Sequence, residues 1–176
     1  MLAVPLLAVV VHALSGASVD ALTAPAGTRA IVYLFTSTDC PISNRYAPEV
    51  RRLAETFAPR GVAFRLVYPG RGQSADAIRD HLSAFAYAGT VDAFRDDDFA
   101  LVKFSGATIT PEVAVIVDGK VAYRGRIDDR IVDLGVERPA PTTHDLADAL
   151  TAILDGRTVP HPVTQAVGCY IADLAR

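Results

Sequence analysis

The chain has 176 residues, of which 51% are hydrophobic and 21% charged, and this composition is typical of one globular domain with a real core. The formal net charge is −3, and no long run of Lys or Arg is present. Nucleic acid is therefore disfavoured as a partner, because phosphate contacts need clustered cations. The chain has only two cysteines, Cys40 and Cys169.

The N-terminal segment Leu2 to Leu14 is almost unbroken Leu, Ala and Val. A membrane span needs about 20 apolar residues, so this run predicts a signal-peptide core and no stable span after processing. Ser15-Gly16-Ala17 and Val19-Asp20-Ala21 offer small residues for cleavage. We therefore predict that residues 1–21 are a signal peptide and that the protein is periplasmic or secreted. No Lys or Arg precedes the run, so a helix of the folded domain is the alternative.

A buried strand is predicted at Ala30 to Phe35, which is short, apolar and rich in β-formers. An amphipathic helix is predicted over Pro41 to Phe57. Cys40 thus stands where a strand leads into a helix. Unpaired backbone N–H groups and the helix dipole there favour the thiolate, the reactive form of cysteine, whereas the adjacent Asp39 carboxylate disfavours it.

The next elements follow from local patterns. Val62 to Tyr68 predicts a second strand, and Ser74 can cap a helix that carries Ile78 and Leu82 on one face. A short strand is predicted to begin near Val91. The acidic run 96–98 suits the start of a short helix.

The second half predicts an antiparallel hairpin, with strands 113–117 and 120–124 joined by Asp118-Gly119. Thr142 and Asp145 can form a capping box before a last amphipathic helix, which Gly156 ends. The predicted domain covers residues 22–156. Residues 157–176 form a C-terminal tail that carries the second cysteine.

The segment Asp39-Cys40-Pro41, with Pro48 inside the following helix and Thr110-Pro111 before a later strand, resembles the thioredoxin superfamily. The similarity is closest to the redoxin branch, which holds extracytoplasmic thiol–disulfide oxidoreductases and their peroxiredoxin relatives of the AhpC/TSA type. The resemblance implies an α/β thioredoxin fold, with a central mixed sheet flanked by helices, over most of residues 27–156. It also implies that the Thr110–Pro111 bond is cis and lies beside Cys40.

The family motif is Cys-x-x-Cys, but the second position here is Ser43, which gives a Cys-x-x-Ser site. The resemblance makes Cys40 the nucleophile of thiol–disulfide exchange and Ser43 a hydrogen-bond donor to it. It makes Pro41, Thr110 and Pro111 the residues that contact substrate. Because Ser43 cannot form a disulfide, Cys40 either exchanges with an external thiol or uses Cys169 as a distant resolving thiol.

Cys169 follows a tail with prolines and Gly168, so this tail could be an extended arm that reaches Cys40. The alternative is that Cys169 is a small apolar residue packed beside Val167, Tyr170 and Ile171.

Three other activities stay open. The peroxiredoxin pattern is matched by Ser37 but departs at Tyr33, where proline is usual, so peroxide reduction is an alternative. Copper could bind Cys40 and Cys169 with a histidine such as His81, His144 or His161. A redox-inactive binding scaffold is the third reading. Sulfur alone can carry the exchange, so we predict no cofactor, no metal, and partners that are protein or small-molecule disulfides, peroxides and an external thiol reductant.

Overall fold

A computed structural model describes residues 8–171 and contains a central mixed β-sheet flanked by helices. Seven strands form this sheet in the order β2-β1-β5-β4-β3-β7-β8, and four short strands form two small two-stranded sheets. The strands are β1 (Val10–Ala13), β2 (Ser18–Asp20), β3 (Ala30–Phe35), β4 (Val62–Pro69), β5 (Asp92–Asp96), β6 (Ile109–Thr110), β7 (Glu112–Val117), β8 (Lys120–Gly125), β9 (Ile131–Asp133), β10 (Val136–Glu137) and β11 (Cys169–Tyr170). The predicted α/β class with a central mixed sheet is confirmed.

Strand β3 lies at the centre of the sheet, parallel to β4 and antiparallel to β7. Its side chains alternate between the two faces, as a strand requires. Val32 and Leu34 join the core on one face, and Tyr33 and Phe35 join the core on the other. The strand is buried on both faces, so it holds the residues that follow it in a fixed position.

Five helices cover the sheet in the described part of the chain: α1 (Pro41–Arg45), α2 (Ala47–Phe57), α3 (Ala75–Ala84), α4 (Ala100–Ser105) and α5 (Asp145–Leu154). Apolar residues of α2, α3 and α5 pack on one face, and those of α4 pack on the other. Ser74 caps α3 as predicted, since its side chain accepts a hydrogen bond from the backbone N–H of Ala77 at 3.1 Å.

Two helix starts differ from the sequence prediction. The helix predicted over residues 41–57 is divided at Tyr46, so Pro48 lies in the first turn of α2 and not in a helix interior. A proline there removes no hydrogen bond, because first-turn N–H groups have no partner within the helix. The predicted capping box of α5 is also absent: Thr142 donates its backbone N–H to the buried carboxylate of Asp129 at 2.6 Å.

The segment that precedes β3 is a β-hairpin, formed by β1 and β2, and not a helix. Strand β1 also pairs with β5, and Val11 and Ala21 are fully buried. The hydroxyl of Tyr33 donates to the carbonyl of Ala21 at 2.7 Å. Cleavage between residues 17 and 21 would therefore remove part of the sheet. The signal peptide stays a prediction, and residues 1–7 lie outside the described range. No helix in residues 8–171 is long and apolar enough to cross a membrane.

The C-terminal tail is fastened to the domain at two places. The backbone N–H of Arg124 donates to the carbonyl of Pro162 at 2.8 Å, and the backbone N–H of Thr164 donates to the carbonyl of Arg124 at 3.0 Å. The tail therefore first runs along β8. It then crosses to β6, where β11 pairs antiparallel with it. The tail is thus extended, as the sequence suggested, but it is ordered against two strands.

Candidate active site

Cys40 lies directly before α1, at the carboxyl end of β3. Its backbone is extended, with φ −81° and ψ 107°, and Pro41 occupies the first helical position. The backbone N–H of Cys40 donates to the carbonyl of Ser37 at 3.3 Å. The side chain is 2% exposed. The predicted placement of this cysteine between a strand and a helix is thus seen in the structure.

The two cysteine sulfurs lie together, with 3.1 Å between the Sγ atoms of Cys40 and Cys169, and both are free thiols. The Sγ of Cys40 is also 3.2 Å from the backbone carbonyl oxygen of Thr110. The Thr110–Pro111 peptide bond is cis, as the resemblance implied. The structure therefore brings Cys40 together with Thr110, which is 70 residues away in the sequence, and with Cys169, which is 129 residues away.

The pairing of β6 with β11 is what brings Cys169 to the site. In this register Cys169 stands opposite Thr110, and Tyr170 stands opposite Ile109. Gly168 lies so close to β6 that a Cβ atom there would stand 2.1 Å from the carbonyl oxygen of Thr110. No real Cβ tolerates that distance, so glycine is required here for the tail to reach its place.

The pKa of Cys40 is lowered from its usual value. Burial raises the pKa, but the nearby hydrogen-bond donors outweigh this effect. The hydroxyl of Ser43 and its backbone N–H favour the thiolate, and the side chains of Thr110 and Cys169 add to this effect. The carbonyl of Thr110 accepts from the protonated thiol only. Compared with an ordinary cysteine, the site therefore shifts Cys40 toward its nucleophilic thiolate form.

The pKa of Cys169 is shifted in the opposite direction, to about 11. Burial is the main cause, followed by the hydrogen bond to Cys40 and the negative charges of Cys40 and Asp39. Cys169 is the more exposed of the two sulfur residues. The two thiols are thus unequal: Cys40 gives up its proton first, and the Cys169 thiol then donates a hydrogen bond to the Cys40 thiolate.

Ser43 is buried one turn into α1, where a second cysteine stands in the family motif. Its hydroxyl oxygen makes no well-directed hydrogen bond to another described residue. The hydroxyl remains close enough to Cys40 to lower the pKa of that thiol. The role of Ser43 as a hydrogen-bond donor to the Cys40 thiolate stays a prediction.

A cavity of about 380 Å³ opens onto both cysteines. Thr110 lines it, together with Pro69 at the end of β4, the loop 70–73, Phe99 and Tyr170. Pro41 lies outside this cavity and lines a smaller one beside the β9–β10 hairpin. A larger cavity, of about 650 Å³, lies near the opposite end of β3 and contains neither cysteine.

Other polar residues that the sequence suggested are used elsewhere. Arg126 follows strand β8, and its Nε pairs with Asp145 at 2.9 Å. Within residues 8–171, no group of three or more His, Cys, Asp or Glu side chains is arranged to hold a metal ion. His81, one of the suggested copper ligands, faces Tyr68 and Asn44. A copper ion at this site would therefore have only the two cysteine sulfurs as ligands among the described residues.

The chain is similar to known proteins in its three-dimensional structure. No family model matches the chain, and no curated protein matches it. An uncharacterized conserved protein from Geobacillus kaustophilus is similar with a TM-score of 0.77 and 23% identity, over 93% of this chain and 87% of that one. A secreted Mycobacterium tuberculosis disulfide oxidoreductase, homologous to E. coli DsbE, gives a TM-score of 0.55 and 21% identity over 81% of this chain and 94% of that one.

A thioredoxin-like protein from Aeropyrum pernix is also similar, with a TM-score of 0.60 and 13% identity, over 85% of this chain and 89% of that one. These similarities extend over most of each chain. At such low identity they establish the architecture. The chain therefore has a thioredoxin-like fold.

Proposed function

We propose that this protein is a thiol–disulfide oxidoreductase in which Cys40 is the nucleophile and Cys169 the resolving thiol. The observation that supports this most directly is the 3.1 Å separation of the two sulfurs beside the start of α1. Their opposite pKa shifts fit these two roles, because the attacking sulfur must be a thiolate. The similarity to a protein described as a disulfide oxidoreductase adds support.

The reaction has two exchange steps. The Cys40 thiolate attacks one sulfur of a substrate disulfide, so a mixed disulfide forms and the second substrate sulfur leaves as a thiolate that takes a proton. Cys169 then loses its proton and attacks the Sγ of Cys40, which releases the first substrate sulfur as a thiol. The substrate gains two electrons, and the Cys40–Cys169 pair is oxidised. An external thiol reductant returns two electrons to the pair.

The remaining site residues have supporting roles in this proposal. Ser43 donates to the Cys40 thiolate, and Thr110 forms the wall that a substrate contacts next to the sulfur. Pro111, which the resemblance also made a contact residue, is buried and does not line this cavity. Pro41 is the first residue of α1 and fixes the start of this helix directly after Cys40. The substrate class is a protein or small-molecule disulfide, which would enter through the cavity that both cysteines line. Exchange through Cys40 alone, with an external thiol in place of Cys169, is the simpler variant of the same chemistry.

Peroxide reduction is a second candidate, favoured by the lowered pKa of Cys40 and by Ser37 three residues before it. The thiolate would attack a peroxide oxygen, giving a sulfenic acid on Cys40 and releasing an alcohol or water. Cys169 would condense with the sulfenic acid, which releases water and gives the same disulfide. An antioxidant role of this protein would depend on this second reaction.

The test of the proposal is peptide mapping of the oxidised monomer under non-reducing conditions. We expect a Cys40–Cys169 peptide in the wild-type protein, because the sulfurs are adjacent. We expect a Gly168→Ala protein to form this peptide far more slowly, since its Cβ would clash with Thr110 and displace the tail. Gly72→Ala is the matched control, because nothing lies within 4 Å of a Cβ at Gly72.

Two results would count against the resolving role of Cys169. The first is an oxidised monomer without the Cys40–Cys169 peptide. The second is a Cys169→Ala protein that reduces a disulfide substrate at the wild-type rate, which would mean that an external thiol resolves the mixed disulfide.

We also propose that the protein is exported to the periplasm or beyond, on the basis of the apolar segment 2–14 and the similarity to a secreted protein. Because β1 and β2 belong to the sheet, we expect the exported form to keep Val9 and the residues after it. N-terminal sequencing of the exported protein measures this directly. A first residue between 18 and 22 would instead support the cleavage sites read from the sequence.

A further inference from the structure

A chain of hydrogen bonds runs from the protein core to the loop in front of Cys40. The hydroxyl of Tyr68, on β4, lies 2.8 Å from Nδ1 of His81, on α3. The other ring nitrogen of His81, Nε2, lies 2.8 Å from Oδ1 of Asn44, on α1. The Nδ2 of Asn44 then donates to the carbonyl of Thr38 at 3.3 Å. His81 is thus the link between the core and the segment that leads to the nucleophile.

Hydrogen-bond donors and acceptors fix the protons in this chain. Because Oδ1 of Asn44 can only accept, Nε2 of His81 carries the proton. In the neutral ring Nδ1 then accepts from the hydroxyl of Tyr68. Burial lowers the pKa of His81, so the ring is neutral at physiological pH. With this tautomer, Oδ1 of Asn44 faces His81, and its Nδ2 is free for Thr38.

The loop residue Thr38 is held from both sides. Its carbonyl accepts from Asn44, and its backbone N–H donates to Oε1 of Gln73 at 2.7 Å. Asn44 is also tied to the nucleophile itself, since its backbone N–H donates to the carbonyl of Cys40 at 3.1 Å. An amide turned the other way would place Oδ1 against the carbonyl of Thr38, where two acceptors would repel each other.

We propose that His81 is a positioning residue for Cys40: by fixing the amide of Asn44, it holds the loop 38–40 so that the sulfur faces Cys169 and the first turn of α1. The importance of this position to turnover rests on the proposed function. The positioning itself does not, because the reactivity of Cys40 and its bonding to Cys169 are measured without any substrate. His81 is 6% exposed and lies behind the site, so it acts through Asn44 and does not touch the reacting atoms.

The experiment measures the alkylation rate of Cys40 as a function of pH, with iodoacetamide and peptide-resolved mass spectrometry, in the full-length protein. In His81→Leu, which fills the space but donates nothing, we expect a higher apparent pKa of Cys40 and disulfide formation with Cys169 that is slower by about 10-fold or more. In His81→Gln, whose amide nitrogen can replace Nε2–H, we expect both quantities to stay close to wild type.

Two further variants separate positioning from simple loss of stability. Ile78→Val removes one buried methyl group from the same helix, so it should lower the melting temperature and leave the Cys40 profile unchanged. Asn44→Ala should reproduce the effect of His81→Leu, and the double variant should add little to either, since both act through one contact.

The proposal is overturned if His81→Leu lowers the melting temperature but leaves the alkylation profile and the rate of disulfide formation at wild-type values. It is also overturned if His81→Leu and Asn44→Ala have independent, additive effects. A wild-type protein that turns over no disulfide substrate would instead count against the proposed function, while the effect on Cys40 reactivity would stand.

Discussion

A Cys40→Ser protein is expected to fold like the wild type and to reduce neither disulfide nor peroxide substrates. Serine fits the space of the thiol, and its hydroxyl can still donate to the carbonyl of Thr110, which lies 3.2 Å from the Cys40 sulfur. A serine hydroxyl is not ionised at neutral pH and cannot form a mixed disulfide. The measurement is turnover of a disulfide substrate and of hydrogen peroxide, with circular dichroism as the check on folding.

The matched control for this loss is Cys169→Ser. This variant keeps the nucleophile, so it should still form a mixed disulfide with substrate in a single turnover, and only the second step should fail. Turnover by a folded Cys40→Ser protein would contradict the assignment of the nucleophile. If the protein is a redox-inactive scaffold, Cys40→Ser would leave the affinity for its partner unchanged.

The second large effect is on stability: oxidation of the Cys40–Cys169 pair is expected to raise the free energy of unfolding by about 5 kcal/mol. The reason is the length of chain that the bond would close, since the two residues are 129 positions apart. A crosslink over about 100 residues already removes enough entropy from the unfolded chain to add about 4.7 kcal/mol. The sulfurs start 3.1 Å apart, so little movement is needed to bond them.

Urea unfolding of the oxidised and the reduced protein, the latter with reductant present throughout, measures this difference. Cys169→Ala is the control, because it cannot form the bond and should unfold at the same urea concentration in both conditions. Equal stability of the two wild-type forms, when mapping shows that the disulfide is complete, would contradict the expectation. It would mean that the bond strains the folded state as much as it restricts the unfolded one.

The sequence predicted the elements whose signals are local. The apolar run 30–35, the Cys-Pro helix start and the Asp118-Gly119 turn each specify their structure within a few residues, and all three are present. The placement of Cys40 beside a cis Thr110–Pro111 bond came from the family resemblance, because neither composition nor spacing gives the isomer of a single proline.

The remaining features depend on pairing between distant segments. Strand β1 lies within the apolar run 2–14 that also suits a signal peptide, and its place in the sheet depends on pairing with β2 and β5, which the local sequence does not show. Strand β11 has two residues, too few to show any periodicity, so its register against β6 could not be predicted. Gly168 was the one local sign that the backbones approach closely there. Pro48 was assigned to a helix interior because the apolar periodicity continues through the break at Tyr46, although a proline also suits the first turn of a new helix.

The attachment of the tail to β8 also affects how this protein behaves at high concentration. The backbone of β8 forms one side of the seven-stranded sheet, and a free side of a sheet can pair with that of another molecule and start aggregation. Residues 162–164 occupy that position at Arg124, and at the opposite side β2 is only three residues long. The segment that carries Cys169 to Cys40 thus also shields the sheet from intermolecular pairing, and loss of the tail would reduce solubility as well as redox chemistry.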